Sequence, residues 1–332
     1  MIKTKRIIQE QLGNIKDLKI KTIDMDTTQS NEVLIEVHCC GVSFADILAY
    51  EGNYQDTPKV PFTAGLEVSG VVKYVGDNVK KFKNGDEVIA LTLWGGFSEY
   101  VNVNEKFVLK KSKNIPHDIG SSMIINYGTA LYTIFERLKC KKNDRVMILG
   151  ASGGIGIASI ELLKAIGCKV VAVASSKDKL DECSKYGADE LILRKKDSNL
   201  KIELKSSLKE NVDAVIDNIG GQDTLDSLSF LKWEGSIVPM GFASGKIAEI
   251  PANLVLLKNI SIVGVFWGPF AKGNKSFNLD SISMINDFYD KKLIKISKPK
   301  LYDIKNFMDA FDSIKKRESI GKISLYTSKY LK

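Results

Sequence analysis

Histidine is close to absent from this chain. Only His38 and His117 occur in 332 residues, the first in an alternating stretch and the second directly after Pro116. A lone imidazole without partner ligands in view reads as structural rather than as part of a metal centre. Cysteine is scarce too. The five (Cys39, Cys40, Cys140, Cys168, Cys183) are odd in number, and none stand at Cys-x-x-Cys spacing. That argues against a disulfide framework and for reduced thiols in a cytoplasmic protein. No apolar run approaches the length of a membrane span. Met1 to Gly13 is charged from the third residue and lacks the apolar core of a secretory signal.

What is present is ordinary in bulk: 44% hydrophobic and 27% charged residues, the balance of a globular protein long enough for about two domains. The net charge of +8 raises the question of nucleic acid. The lysines, however, fall in small scattered knots such as Lys80-Lys81 and Lys315-Lys316-Arg317, with no aromatic interleaving. Solvated surface lysine is the expected reading, so neither nucleic acid nor a membrane is an expected partner.

The stretch Arg145–Gly156, RVMILGASGGIG, organises the rest. Val146 to Leu149 is a short apolar run of the kind buried on both faces of a sheet. Gly150, Gly153, Gly154 and Gly156 follow, and Ile155 to Lys164 reads as a helix with an apolar and a polar side. Any tight turn uses glycine, but strand, glycine turn, helix and a second strand (Lys169–Ala174) in order predict a dinucleotide-binding βαβ unit. Its pyrophosphate would sit on the helix N-terminus, with Gly150, Ser152, Gly153, Gly154, Ile155 and Gly156 around it.

The first third predicts a barrel-like β domain, with strands at Val33–Val37, Val68–Val75, Glu87–Ala90 and Ser98–Val103. Asp118 is placed to cap a helix through Ser121 and Ile124, and Gly128–Arg137 predicts another. From Arg145 strands and helices alternate: Lys169–Ala174, Glu190–Leu193, Val212–Asp217, Ser236–Met240 and Ser261–Val265 with helices near Lys179–Tyr186, Leu200–Lys209 and Asp223–Leu231. This is the pattern of a doubly wound parallel sheet, whose ligand lies at the strands' carboxyl ends, near Asn218, Gly241, Phe242 and Phe266. Helices near Ser281–Lys291 and Asp303–Lys316 and a strand at Lys322–Tyr326 form a tail expected to return to the N-terminal domain.

The strand Lys169–Ala174 ends without a carboxylate, where an NAD site places one about 20 residues past the glycines. Ser175 and Ser176 can donate to a ribose 2′-phosphate, and Lys179 adds positive charge. NADPH is therefore the expected cofactor. The same residues would also serve as an ordinary capped helix start.

Seven segments in this order resemble the zinc-free quinone oxidoreductase branch of the medium-chain dehydrogenase/reductases: GVSFADILAYEGNY (Gly41–Tyr54), PFTAGLEVSGVV (Pro61–Val72), VGDNVKKFKNGDEV (Val75–Val88), GGFSEY (Gly95–Tyr100), NYGTA (Asn126–Ala130), LGASGGIG (Leu149–Gly156) and GFASG (Gly241–Gly245). The resemblance spans nearly the whole chain. It implies a discontinuous GroES-like catalytic domain (1–122 and 267–332) and a Rossmann domain (123–266), paired into a homodimer through Ser261–Val265. It also implies hydride transfer from NADPH to a quinone or related α,β-unsaturated carbonyl. Zinc enzymes of the family carry cysteine and histidine where this chain has Ser43 and Leu66, and no cysteine lies between Tyr100 and Cys140, so no metal is expected. By the same resemblance Tyr54 is the proton-donor candidate, and Ser43 with Asp46 stands where relatives have Asn-x-x-Asp. Asn126 and Thr129 match positions near the nicotinamide ribose. Gly241, Phe242, Phe266 and Trp267 match the surroundings of the ring, with Trp94 and Trp267 also facing the acceptor, and Arg194 is placed to close over the phosphate. Glu67 aligns with a structural glutamate. An enoyl-thioester or enone double-bond reductase, or a low-turnover NADPH-binding protein with a structural or RNA-associated role, fits many of the same residues.

Overall fold

The computed structural model describes residues 2–196, 198–268, 271 and 280–330. An antiparallel pair, β1 (Lys3–Ile8) and β2 (Lys19–Asp24), opens the chain. Thr4 and Ile7, both fully buried, stand three residues apart among lysine and arginine with no period-two alternation, which hides the strand in the sequence. Strand β3 (Glu32–Val42) runs five residues past the predicted end, where Cys39, Cys40 and Val42 are buried on both faces of the sheet. Helix α1 (Phe44–Glu51) starts at Ser43 and stops at Gly52, whose φ of 77° is the left-handed C-terminal signal. Strands β4 (Glu67–Val75), β5 (Glu87–Leu91), β6 (Tyr100–Asn104) and β7 (Val108–Lys110) follow.

The next helices correct the prediction. α2 (His117–Gly120) begins after Pro116, and Asp118 lies inside its first turn with Oδ1 accepting from Ile119 N at 2.9 Å, so it is not the cap. The hydroxyls of Ser121 and Ser122 donate back to the carbonyls of Asp118 and Ile119 at 2.7 and 2.8 Å. Serines that compete in this way for helix carbonyls end the turn. α3 (Ile124–Leu131) then starts afresh and widens into a π turn over Tyr132–Arg137.

From there the chain alternates as predicted: β8 (Arg145–Leu149), α4 (Gly154–Ala165), β9 (Lys169–Ala174), α5 (Lys177–Lys185), β10 (Glu190–Leu193), α6 (Leu200–Ser207), β11 (Val212–Asp217), α7 (Gln222–Leu228) and β12 (Leu231–Pro239). α8 (Ala252–Lys258) has no counterpart in the sequence reading, and β13 is only Ser261–Ile262, shorter than the five residues expected. After α9 (Asp280–Asp290) come β14 (Lys300–Asp303), α10 (Phe307–Lys315) and β15 (Ile323–Tyr326). The predicted helix Asp303–Lys316 is thus split, its first residues belonging to a strand end and a 3-10 turn.

The chain forms two compact units: Met1–Ile125 with Ser276–Asp290 and Ser297–Lys332, and Asn126–Lys275 with Lys291–Ile296. Among the described residues of the first, a seven-stranded sheet runs β14-β15-β3-β4-β5-β7, with β6 also on β3. Its core centres on Tyr50, Phe97 and Phe311, all fully buried. Tyr50 is fully satisfied there: its hydroxyl donates to Ile7 O and accepts from Ala64 N.

The second unit holds six parallel strands among its described residues, in the order β10-β9-β8-β11-β12-β13. Met147, Leu149, Val171, Val173, Val215 and Ile237 fill its interior with Leu204 and Leu228 from the helices. Each such side chain contributes about 1.5–3 kcal/mol on burial. α4 is not the half-exposed helix expected: Gly156 to Leu163 are all buried, Glu161 included.

Candidate functional site

In the parallel-sheet unit the strand order reverses between β8 and β11, the switch point at which open α/β sheets bind their ligands. The glycine turn leaves β8 at that point. Gly150 has φ 68°, a left-handed conformation open to glycine at little cost. A Cβ on Gly156 would lie 2.4 Å from Ala151 O, and one on Gly154 would lie 2.5 Å from the side-chain amide of Asn126. Gly153 differs: its nearest neighbour would be Gly150 O at 3.5 Å, so the fold leaves room above it. Gly153 is also the N-cap of α4 and no side chain caps that end. An anion thus finds an uncapped helix terminus beside an open glycine, which suits a pyrophosphate. Ser152 is buried and Ile155 partly exposed within the same turn.

The other sequence-predicted positions fall at carboxyl ends of the same sheet. After β9, Ser176 caps α5, its Oγ accepting from Lys179 N at 3.4 Å, and Lys179 Nζ lies 3.3 Å from Ser175 Oγ. Ser175, Ser176 and Lys179 are therefore together, with exposed Asp178 in the same first turn. Arg194 follows beside that strand tip, its N donating to Ala174 O at 2.8 Å, but its side chain is held elsewhere. Its Nε sits 2.9 Å from Asp223 Oδ1, and its Nη1 donates to the carbonyls of Lys195 and Ser198, so the guanidinium is already engaged.

After β11, Asn218 Nδ2 donates to Leu149 O at 2.9 Å, tying this end to the glycine turn. Beside it Asp217, which sequence reasoning only noted in passing, is 1% exposed. It accepts from Ile219 N, Gly220 N and Thr224 Oγ1, and its carbonyl accepts from Met240 N and Gly241 N. This buried carboxylate builds the loop wall, with three donors already on its side chain. Phe242 and Phe266 present open faces, 41% and 49% exposed. Trp267 does not: it is 4% exposed, with its ring where a side chain on Gly128 would be. Asn126 lies buried against Gly154, and Thr129, partly exposed, follows on the same helix.

In the β-rich unit Ser43 and Asp46 are bound to each other. Ser43 N and Oγ each donate to Asp46 Oδ2 at 2.8 Å, and Gly65 N donates to Oδ1 at 2.9 Å. Full burial raises the Asp46 pKa to about 6 against these three donors. The pair clasps the start of α1 to the loop at Gly65. Tyr54 is half-buried, edge-on to Trp94 at 6.1 Å, and Trp94 is edge-on to Phe62 at 6.0 Å. Burial, then the charges of Asp46 and Asp56, raise the Tyr54 pKa, so the phenol keeps its proton at neutral pH.

Glu67 carries a feature that sequence reasoning missed. Its Oε1 lies 2.7 Å from Lys322 Nζ, side chains 1% and 5% exposed, and its Oε2 accepts from Ile125 N. A lysine opening the last strand has no local signal that it is buried. Leu66 and Ser43 offer no metal ligand, and among the described residues no three His, Cys, Asp or Glu side chains are grouped to hold a metal.

A GroES-like β unit joined to a Rossmann-like parallel sheet defines a dehydrogenase/reductase. Two family models match: alcohol dehydrogenase GroES-like domain over residues 29–113 and zinc-binding dehydrogenase over residues 154–280. Quinone oxidoreductase-like protein 2 of Rattus norvegicus is 34% identical over 296 residues, 89% of this chain and 84% of that one. Quinone oxidoreductase of Homo sapiens is 30% identical over 258 residues, 77% and 78%. The Escherichia coli quinone oxidoreductase complexed with NADPH shares the fold, with TM-score 0.87 and 21% identity over 97% of this chain and 99% of that one. The chain belongs to the medium-chain dehydrogenase/reductase family of oxidoreductases, with quinone oxidoreductases among its relatives.

Proposed function

We propose that this protein is an NADPH-dependent reductase of quinones or related α,β-unsaturated carbonyls, working without zinc as a cytoplasmic homodimer. The observation that carries the reading is the gathering of the open glycine turn, Ser175, Ser176, Lys179, Asn218 and Phe242 at the carboxyl ends of one parallel sheet. In this reading the turn and the α4 terminus hold the pyrophosphate. Ser175, Ser176 and Lys179 take the ribose 2′-phosphate. Asn126 and Thr129 serve the nicotinamide ribose, and Phe242, Phe266 and Gly241 serve the ring. When bound, NADPH supplies a hydride from nicotinamide C4. An acceptor that is already electron-poor needs no Lewis acid, consistent with Ser43 and Leu66 at the positions where zinc relatives bind metal. Tyr54, protonated at neutral pH, is the donor to the acceptor oxygen.

The test is NADPH oxidation, with a chelator present, using 9,10-phenanthrenequinone, a simple enone and a crotonyl thioester in parallel, beside an RNA gel shift. Turnover with the quinone or enone is expected. Thioester turnover alone would make the protein an enoyl reductase, and a gel shift without turnover would make it a nucleic-acid-associated binding protein.

A further inference from the structure

α4 carries a carboxylate for which the glycine turn has no use. Glu161 is 4% exposed amid Ile157, Ile160, Leu162 and Leu163. Its Oε2 accepts from the Tyr127 hydroxyl, and its Oε1 accepts from Lys295 N at 2.5 Å and Ile296 N at 3.2 Å. Ile296 has φ 51°, a left-handed backbone that a β-branched residue adopts only when its surroundings impose it. Burial raises the Glu161 pKa, and the bonds from Tyr127, Lys295 and Ile296 oppose that rise. For packing alone an apolar side chain would cost less at this depth than a carboxylate. What the carboxylate adds is attachment: one group on α4 holds both α3, through Tyr127, and the bent segment Lys291–Ile296.

Tyr127 is next to Asn126, whose amide lies where a side chain on Gly154 would be. Thr129 is two residues further along α3. A rotation or slide of α3 on α4 would therefore move Asn126 off the rim of the turn. We propose that Glu161 is a positioning residue for the dinucleotide, locking α3 to α4 through Tyr127 so that Asn126 and Thr129 stay in register with the glycine turn. The inference rests on the reading that this turn binds NADPH. Glu161 touches no ligand in this role and acts only through Tyr127.

The test measures NADPH dissociation constants by fluorescence for the full-length parent, Tyr127→Phe, Glu161→Gln and Glu161→Leu. Thermal midpoints and the quinone KM at saturating NADPH are recorded alongside. Glutamine can accept from both backbone N–H groups and donate to the Tyr127 oxygen, so Glu161→Gln is expected within about threefold of the parent. Tyr127→Phe leaves the Lys295–Ile296 corner bonded and is expected to raise the NADPH Kd about five- to tenfold at a near-parental thermal midpoint. Glu161→Leu is expected to raise it about tenfold or more, with the quinone KM unchanged in every variant. A parental NADPH Kd in Tyr127→Phe overturns the inference, even if Glu161→Leu fails to fold. A parent that binds no NADPH overturns the underlying reading as well, which keeps the two failures distinguishable.

Discussion

Asp46 and His117 pull the stability of the β-rich unit in opposite directions over the same pH range. Asp46 titrates near 6 in the folded protein against a reference of 3.8. The unfolded chain therefore loses this proton first as pH rises, and stability falls between about 4 and 6. His117 titrates near 4 against 6.5, through burial first and then the charges of His38 and Lys111, with Glu87 opposing. The unfolded chain binds that proton first as pH falls, so stability drops between about 6.5 and 4. His117 packs on His38 with ring centroids 4.4 Å apart, and its Nδ1 is 2.8 Å from Ser69 Oγ. The thermal midpoint of Asp46→Asn minus that of the parent is expected to climb by several °C, on the order of 2–4 °C per kcal/mol, from pH 4 to 6. The same difference for His117→Gln is expected to climb from pH 6.5 down to 4. A flat difference in scanning calorimetry would show the group not to titrate this way. Tyr54→Phe is a separate matter: if the phenol donates the proton, kcat for the quinone falls by about 10²-fold, and unchanged steady-state kinetics would leave water as the donor. Little of this pairing was legible in the sequence. Ser43-x-x-Asp46 matched a family pattern, but Asp46 facing Gly65, Glu67 facing Lys322 and Arg194 facing Asp223 each join residues without a periodic relation. A lysine or arginine reads as solvated until its partner is seen.

At the scale of elements the glycines separate by what each is for. Gly156→Ala sets a Cβ against Ala151 O at 2.4 Å and is expected to destabilise by about 1–3 kcal/mol, seen as a lower thermal midpoint. Gly153→Ala has φ −76° and open space above it, so its midpoint should match the parent while NADPH affinity drops, as measured by titration. Equal affinity in that variant would mean that no ligand approaches this backbone. At the tip of β9, Lys179→Ala is expected to raise KM for NADPH about tenfold or more and leave that for NADH nearly unchanged. The strands of the parallel sheet were legible because continuous Val, Ile and Leu runs bounded by glycine have few alternative folds. β1 and β2 were not, since lysine and threonine stand among their apolar residues, and neither was α8, where Leu256 and Leu257 are 76% and 66% exposed. β13 was overestimated because Val263 and Val265 extend the apolar pattern, although the ladder continues only to Val263 N donating to Ile237 O.

For the whole molecule, β13 is one of the two edges of the parallel sheet, paired only with β12 among the described residues, and Ile262 on it is 44% exposed. An unpaired edge with an exposed isoleucine invites a second strand. Sedimentation is expected to give a dimer, and Ile262→Lys a monomer. A monomeric parent at micromolar concentration would remove the homodimer from the proposal. The two units also differ in when they can form as the chain leaves the ribosome. The described strands of the parallel sheet fall within Arg145–Ile262, and the most distant pairing, β8 with β11, joins Val146 to Ala214. β3, in contrast, needs β15: Cys40 pairs with Leu325, and Thr327 Oγ1 donates to Val37 O across 290 residues. Contacts that distant form late, since the intervening chain must be synthesised before the loop can close. The parallel sheet can thus pair while the β-rich unit, most of whose strands emerge first, still carries an unpaired edge on β3. For that interval the Cys39–Val42 edge of β3 is open to strand pairing with a neighbouring nascent chain until Ile323–Tyr326 has been made.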